Sequence, residues 1–284
     1  MWVMSLISPQ NAQYLIEHLS DLSKGTDISR TSLARIENVI RAAGGMDSTV
    51  PSDPLQRPKY FFLPGLTAKP FWEPSQFEWV AGLEAQYETI NSELLQLRDN
   101  YSYAFGPHPQ ADLIRAGTWA EYHFFAGETK FQQNCARCPQ TTRIIESIAE
   151  DKFFHLTYFS ALAPGTFIRP HCGPSNLRLR CHLGLCVPDD CGMRVGTETR
   201  SWEEGKCVIF DDSFFHQAWN QSHRTRILLL IDFSHPDLTK VELGLLRKVL
   251  KIMDEMQDQV PKDQKRDQQL KKTATFGLPE KWWV

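Results

Sequence analysis

Two histidines suggest chemistry before any fold is considered. His171 follows a strand-like run and a proline, and His216 lies 45 residues on, in Phe210-Asp-Asp-Ser-Phe-Phe-His216. Neutral imidazole suits iron, copper, nickel and zinc. Two histidines on separate strands of a jelly roll can meet at one ion, because inward side chains of the facing sheets converge. The bland alternative is two hydrogen-bonded structural histidines, which is the usual state of an arbitrary pair.

The neighbouring residues shift that balance. In Arg178-Leu-Arg-Cys-His-Leu-Gly-Leu185 the side chains alternate with period two. Arg178, Arg180, His182 and Gly184 share one face of a strand, and Leu179, Cys181, Leu183 and Leu185 share the other. Such a strand aims cations into an apolar barrel. Arg226 opens a second apolar strand, Arg226-Ile-Leu-Leu-Leu-Ile-Asp232. A guanidinium there needs a partner, since burying it unpaired is costly. Its fork matches a carboxylate in bidentate fashion. The partner is either a small dicarboxylate ligand or an internal acid such as Asp211 or Asp212.

Seven cysteines make an odd count. Cys135 and Cys138 form a CxxC, without the second ligand pair that structural zinc usually requires. Reduced thiols, a disulfide and zinc are the three readings, the first favoured. The sequons Asn100-Tyr-Ser102 and Asn220-Gln-Ser222 matter only in a secreted protein.

These residues need elements to position them. Helical spacing runs over about 11–43 (Leu15, Ile16, Leu19, Leu22; Leu33, Ile36, Val39, Ile40), and a polar stretch, 45–58, follows. Residues 59–65 read as an entering strand, 76–97 as one amphipathic helix, 119–125 as a strand and 139–149 as a short helix. Between 153 and 234 short strand-like runs (154–163, 166–170, 177–187, 191–196, 206–211, 225–233) alternate with turn signals such as Pro164-Gly165 and Pro188-Asp-Asp190. That texture predicts a sandwich, jelly roll or small barrel. Helix returns over 243–256, a polar run follows over 258–272, and the last residues, 276–284, are apolar. The predicted fold class is mainly β with flanking helices (α+β), and no internal repeat is seen. The expected division is 1–58 as helical lead-in and linker, 59–240 as the barrel domain, and 241–284 as C-terminal helix and tail.

The chain has 284 residues and a formal net charge of −3. That charge argues against a nucleic-acid binder held by bulk charge. No apolar stretch of 18 residues suggests a membrane span, and the apolar Met1–Ile7 has no basic residues before it as a signal would. The expectation is a chain without a membrane span, cytoplasmic by default.

Taken together, these motifs resemble the aspartyl/asparaginyl β-hydroxylase family of iron- and 2-oxoglutarate-dependent oxygenases. The resemblance is carried by Ser160-Ala-Leu-Ala-Pro-Gly-Thr166, Pro170-His-Cys-Gly-Pro-Ser-Asn176, Arg178 to Leu185, Trp202-Glu-Glu-Gly205, Phe210 to His216 and His235-Pro236. Phe61-Phe-Leu-Pro-Gly65 looks like the family's first strand, and Cys135-Ala-Arg-Cys-Pro139 looks like its "β-hydroxylase domain-containing" branch. The likeness runs from about 59 to 238.

The resemblance implies a double-stranded β-helix (jelly-roll, cupin-like) core. It implies Fe(II) held by His171 and His216, with Gly173 where most such enzymes place a carboxylate. It implies 2-oxoglutarate bound by Arg226 with Ser160 at its far carboxylate, and by Arg180 and His182 nearer the metal. The implied activity is O2-dependent hydroxylation of an unactivated carbon, first the β-carbon of Asp or Asn in a peptide or protein substrate. Alternatives are a lipid acyl chain or small molecule, a halogenation for which the missing carboxylate leaves room, and a non-catalytic binding barrel. Membrane-associated or ER placement, as in the family, is the alternative location.

Overall fold

The computed structural model describes residues 7–46, 50–60, 62–101, 104–127, 129–149 and 156–257. The expected tail features at 258–272 and 276–284 lie outside these residues, as do Met1–Leu6, Phe61 and Ser102 of the first sequon.

Two helices come first, α1 (Pro9–Leu22) and α2 (Arg30–Ala43). Ser8 and Ser29 start them, each accepting a backbone N–H of the first turn with its hydroxyl. β1 (Phe71–Trp72) is followed by α3 (Glu78–Glu84) and α4 (Tyr87–Tyr101). The single helix expected over 76–97 is thus two. Gln86 N–H reaches back to Leu83 O, a tighter turn that redirects the chain between them. Short strands β2 (Gly106–Pro107) and β3 (Ile114–Ala116) precede β4 (Trp119–Ala126) and β5 (Thr129–Lys130). Then come α5 (Gln132–Arg137) and α6 (Pro139–Ala149).

The β-rich part comprises β6 (Leu156–Leu162), β7 (Thr166–His171), β8 (Arg178–Cys186), β9 (Cys191–Val195), β10 (Glu198–Arg200), β11 (Cys207–Phe210), β12 (His216–Asn220) and β13 (Arg226–Ser234). α7 (Lys240–Gln257) ends the described chain. The strands form two antiparallel sheets. The larger is ordered β1-β11-β8-β13-β6-β4-β2, with β5 on β4, and the smaller β10-β9-β12-β7-β3. Chain neighbours such as β6 and β7 lie in different sheets, the winding of a double-stranded β-helix.

One strand reading is corrected. Residues 62–65 form no strand. Lys59 and Tyr60 N–H groups go to Gly173 O and Pro174 O, and the Asn176 side chain clamps Leu63 through both its N–H and C=O at 2.9 Å. A side chain supplies the hydrogen bonds that a strand partner would have given.

Period two sorts the larger sheet. Leu179, Cys181, Leu183 and Leu185 pack outward with Tyr122, Phe124, Phe159 and Leu229 under α3 to α6. Between the sheets lie two smaller cores, one with Met193, Val195, Trp202, Phe210, Phe214 and Leu228, the other with Leu113, Trp119, Leu162 and Ile168. A further cluster joins α1, α2 and α7 through Leu15, Ile36, Val39, Ile40, Leu246 and Val249, and takes in Leu63 and Leu177. No helix among the described residues is long and apolar enough to cross a membrane.

Candidate active site

β7 ends, and β12 begins, on a histidine, and His171 and His216 are direct cross-strand partners. Their ring centroids are 4.1 Å apart. Each ring is oriented by its own strand. His171 Nδ1 lies 2.8 Å from Arg169 O, and His216 Nδ1 lies 2.9 Å from Phe214 O. A carbonyl only accepts, so Nδ1 carries the hydrogen and Nε2 keeps its lone pair, the arrangement usual for a metal-binding imidazole. Burial holds His171 below its ordinary pKa and, with the His171 charge, pushes His216 down to about 3. Both rings are neutral at pH 7.

Gly173, two residues beyond His171, has no room for a side chain. A Cβ there would collide with the carboxyl of Asp212. Among the described residues no group of three His, Cys, Asp or Glu is placed to hold a metal ion. Burial opposes ionisation of Asp212, but Arg178 and Arg180 outweigh it and keep the carboxyl below its ordinary value. Arg178 bonds Asp212 at 2.9 Å and Asp232 at 2.7 Å. Asp212 Oδ1 is buried without a hydrogen bond.

The inward face of β8 has separate assignments. Arg180 gives its Nε and Nη2 to Asp232, at 2.7 and 3.0 Å. The internal-acid reading therefore holds for Arg180, through Asp232 and, at 3.5 Å, Asp212. Asp232 was legible in principle, because it lies three strand periods from Arg226 on the same face. Asp211 instead turns its oxygens to Ser213 N–H and Gln56, and burial pushes it up to about 7.

Arg226 has no acid. It is 2% exposed, and its Nη2 reaches only Ser160, with Oγ at 3.2 Å and O at 3.5 Å. Its guanidinium lies 4.9 Å from the ring centre of Trp202, and its Nε has no hydrogen-bond partner. Burial lowers its pKa to about 10. Trp202 Nε1, which can only donate, bonds His182 Nδ1 at 3.3 Å. His182 Nε2 must then carry the hydrogen, and it too is buried without a partner. Burial and the charge of Arg226 keep His182 neutral. Ser160 Oγ also accepts Trp119 Nε1 at 3.0 Å. Two unsatisfied N–H donors thus share one tryptophan, a combination native interiors avoid unless a ligand supplies the acceptor.

A second buried cluster had not been anticipated. Glu121, opposite Ser160 on β4, is bonded by His108 Nε2 at 3.0 Å and His123 Nε2 at 2.8 Å. Its signal was the alternation Trp119, Glu121, His123 on one strand face. Of the aromatic residues near His216, Phe214 is core, Phe215 is exposed, and Trp219 lies half-buried over Gly192. All seven cysteines are free thiols, and burial pushes Cys138 and Cys172 up to about 12. Asn220 of the second sequon is wholly buried, bonded to Leu162 O and Arg224 O.

An antiparallel double-stranded β-helix that sets two imidazoles with free Nε2 atoms near a buried guanidinium without an acid is a scaffold suited to a hydroxylase. The chain belongs to the aspartyl/asparaginyl β-hydroxylase family, whose model matches residues 84–236. Aspartate beta-hydroxylase domain-containing protein 2 of Mus musculus is 33% identical over 238 residues, covering 81% of this chain and 68% of that protein. Aspartyl/asparaginyl beta-hydroxylase of Mus musculus is 36% identical over 181 residues, 62% of this chain and 24% of that protein. Ornithine lipid ester-linked acyl 2-hydroxylase of Rhizobium tropici is 34% identical over 174 residues, 59% of this chain and 61% of that protein.

Proposed function

We propose that the chain is an Fe(II)- and 2-oxoglutarate-dependent dioxygenase that hydroxylates an unactivated carbon, the β-carbon of Asp or Asn in a peptide or protein. The observation that carries this reading is the buried Arg226 guanidinium without an acid, beside the unpartnered Nε2–H of His182. When bound, iron and 2-oxoglutarate supply the oxidising chemistry: dioxygen is reduced, 2-oxoglutarate becomes succinate and carbon dioxide, and one oxygen atom enters a C–H bond.

In this reading His171 and His216 hold the metal through their free Nε2 atoms. Arg226 and the Ser160 hydroxyl bind the far carboxylate, and Trp202 orients both Arg226 and His182 toward it. His182 donates as a neutral imidazole, adding a hydrogen bond and no charge. Arg180 acts mainly by fixing Asp232 and Asp212, its Nη1 being left for an anion near the metal. Residues 59–240 are the catalytic unit. Residues 1–58 and 241–284 flank it through the α1, α2 and α7 cluster. A lipid acyl chain is the second substrate reading, favoured by the likeness to the Rhizobium tropici protein.

Oxygen-dependent conversion of 2-oxoglutarate to succinate by the purified chain with Fe(II), followed by mass spectrometry of candidate products, tests the proposal. A mass gain of one oxygen on an Asp or Asn peptide supports it. Iron-loaded chain that never forms succinate with any candidate overturns it.

A further inference from the structure

Beside the His171–His216 pair, the outward face of the smaller sheet carries two adjoining clefts. One is lined by Arg115, Phe167, Arg169 and Pro170. The other is lined by Pro170, Arg194, Gly196, Phe215, His216 and Gln217. They share Pro170, the residue before His171, and the second touches His216 itself. No Asp or Glu lines either cleft.

The three arginines are exposed, and none has a carboxylate within ion-pair distance among the described residues. Arg115 rests over the Phe167 ring at 5.8 Å, and Arg194 Nε bonds Gly196 O at 3.1 Å. Arg169 contributes only its backbone carbonyl, to His171. In a chain of net charge −3, three unneutralised guanidinium groups along one groove are a local reversal of sign.

We infer that this groove, running over β3, β7, β12 and β9 past the histidine pair, binds an extended acidic peptide. The inference rests on the peptide-hydroxylase reading above and adds the character of the substrate: carboxylates flanking the residue presented to the histidines. Four adjacent strands span roughly 14 Å at about 4.8 Å spacing, which is the length of about four extended residues. Arg194 and Arg169 lie nearest the pair and meet the first flanking acids. Arg115, on β3, meets one further along. Gln217 offers an amide to the peptide backbone, and Pro170 and Phe215 give apolar walls.

The test is fluorescence anisotropy on the full chain, with no turnover required. The probe is a labelled nine-residue peptide with four aspartates around a central asparagine, compared with the same peptide carrying asparagine at those four positions. Tighter binding of the acidic peptide is expected, weakening steeply with salt. The triple variant Arg115→Gln/Arg169→Gln/Arg194→Gln is expected to bind it roughly tenfold more weakly. The salt dependence of the unaltered chain tests the same point without any substitution. Equal affinity for the two peptides, salt-independent binding, or a folded triple variant that binds as before would overturn the inference. So would cosedimentation with phosphatidylserine vesicles in place of peptide binding, which would make the groove a lipid surface. Binding of Fe(II) and 2-oxoglutarate is expected to be unchanged in the triple variant, so failure of the groove and failure of the oxygenase reading give different results.

Discussion

Gly173 and Asp212 share one volume, and that sharing explains why position 173 carries no side chain. The carboxyl of Asp212 occupies the space a residue-173 side chain would need, and Arg178 holds it there. Gly173→Asp is therefore expected to destabilise the chain, by crowding two carboxylates together. Coupling it with Asp212→Ala opens the space and creates a three-donor site, expected to bind Fe(II) more tightly by on the order of tenfold, as read by metal titration. Asp211 makes a separate prediction. Burial raises its folded pKa to about 7, above its ordinary 3.8, so the folded state holds the extra proton between those values. The stability it contributes is present near pH 4 and is lost as pH rises through 7. Asp211→Asn is expected to remove that loss. Its unfolding free energy should gain on that of the unaltered chain between pH 5 and pH 8, by roughly 3 kcal/mol at most. Much at this scale was legible: alternation placed Arg180 and His182 on one inward face, and the cost of burial marked Arg226 as needing an anion. The pairing of Arg180 with Asp232 was not, because it depends on β8 lying beside β13, a register set by tertiary packing.

The elements were legible wherever local pattern and tertiary demand agree. The runs read at 166–170, 191–196 and 225–233 became β7, β9 and β13, bounded by turns that break the pattern, and 139–149 became α6. β12 was missed although it carries His216. His-Gln-Ala-Trp-Asn shows neither β-branched residues nor clean alternation, and the segment is a strand because β7 and β9 flank it. The helix over 76–97 failed because periodicity is nearly blind to a two-residue break. α6 owes its start to another element. Glu93 of α4 accepts the N–H groups of Gln140 and Thr141 at 2.8 and 2.7 Å, a charged cap on the positive helix end. Glu93→Gln keeps one acceptor and sets an amide N–H against the other donor. It is expected to cost about 1.5–3 kcal/mol in denaturant unfolding.

Among the described residues, the barrel is braced on one side by α3 to α6 and on another by α1, α2 and α7, and none of these helices covers the outward face of the smaller sheet beside the histidines. The bracing is apolar, so Val249→Asp, which places a charge at a wholly buried position among α1, α2 and α7, is expected to lower stability by roughly 3–5 kcal/mol, as read by thermal unfolding. Under the proposed function the two sheets would divide the labour: the smaller would offer the imidazoles for a metal, and the larger the Arg226 guanidinium for an organic anion. Anaerobic titration with Fe(II) and then 2-oxoglutarate, following the metal-to-ligand absorption band, tests that division most directly. The band should form in the unaltered chain, require far more 2-oxoglutarate in Arg226→Met, and vanish in His171→Ala/His216→Ala. No band in the unaltered chain, or an Arg226→Met titration identical to it, would contradict the account.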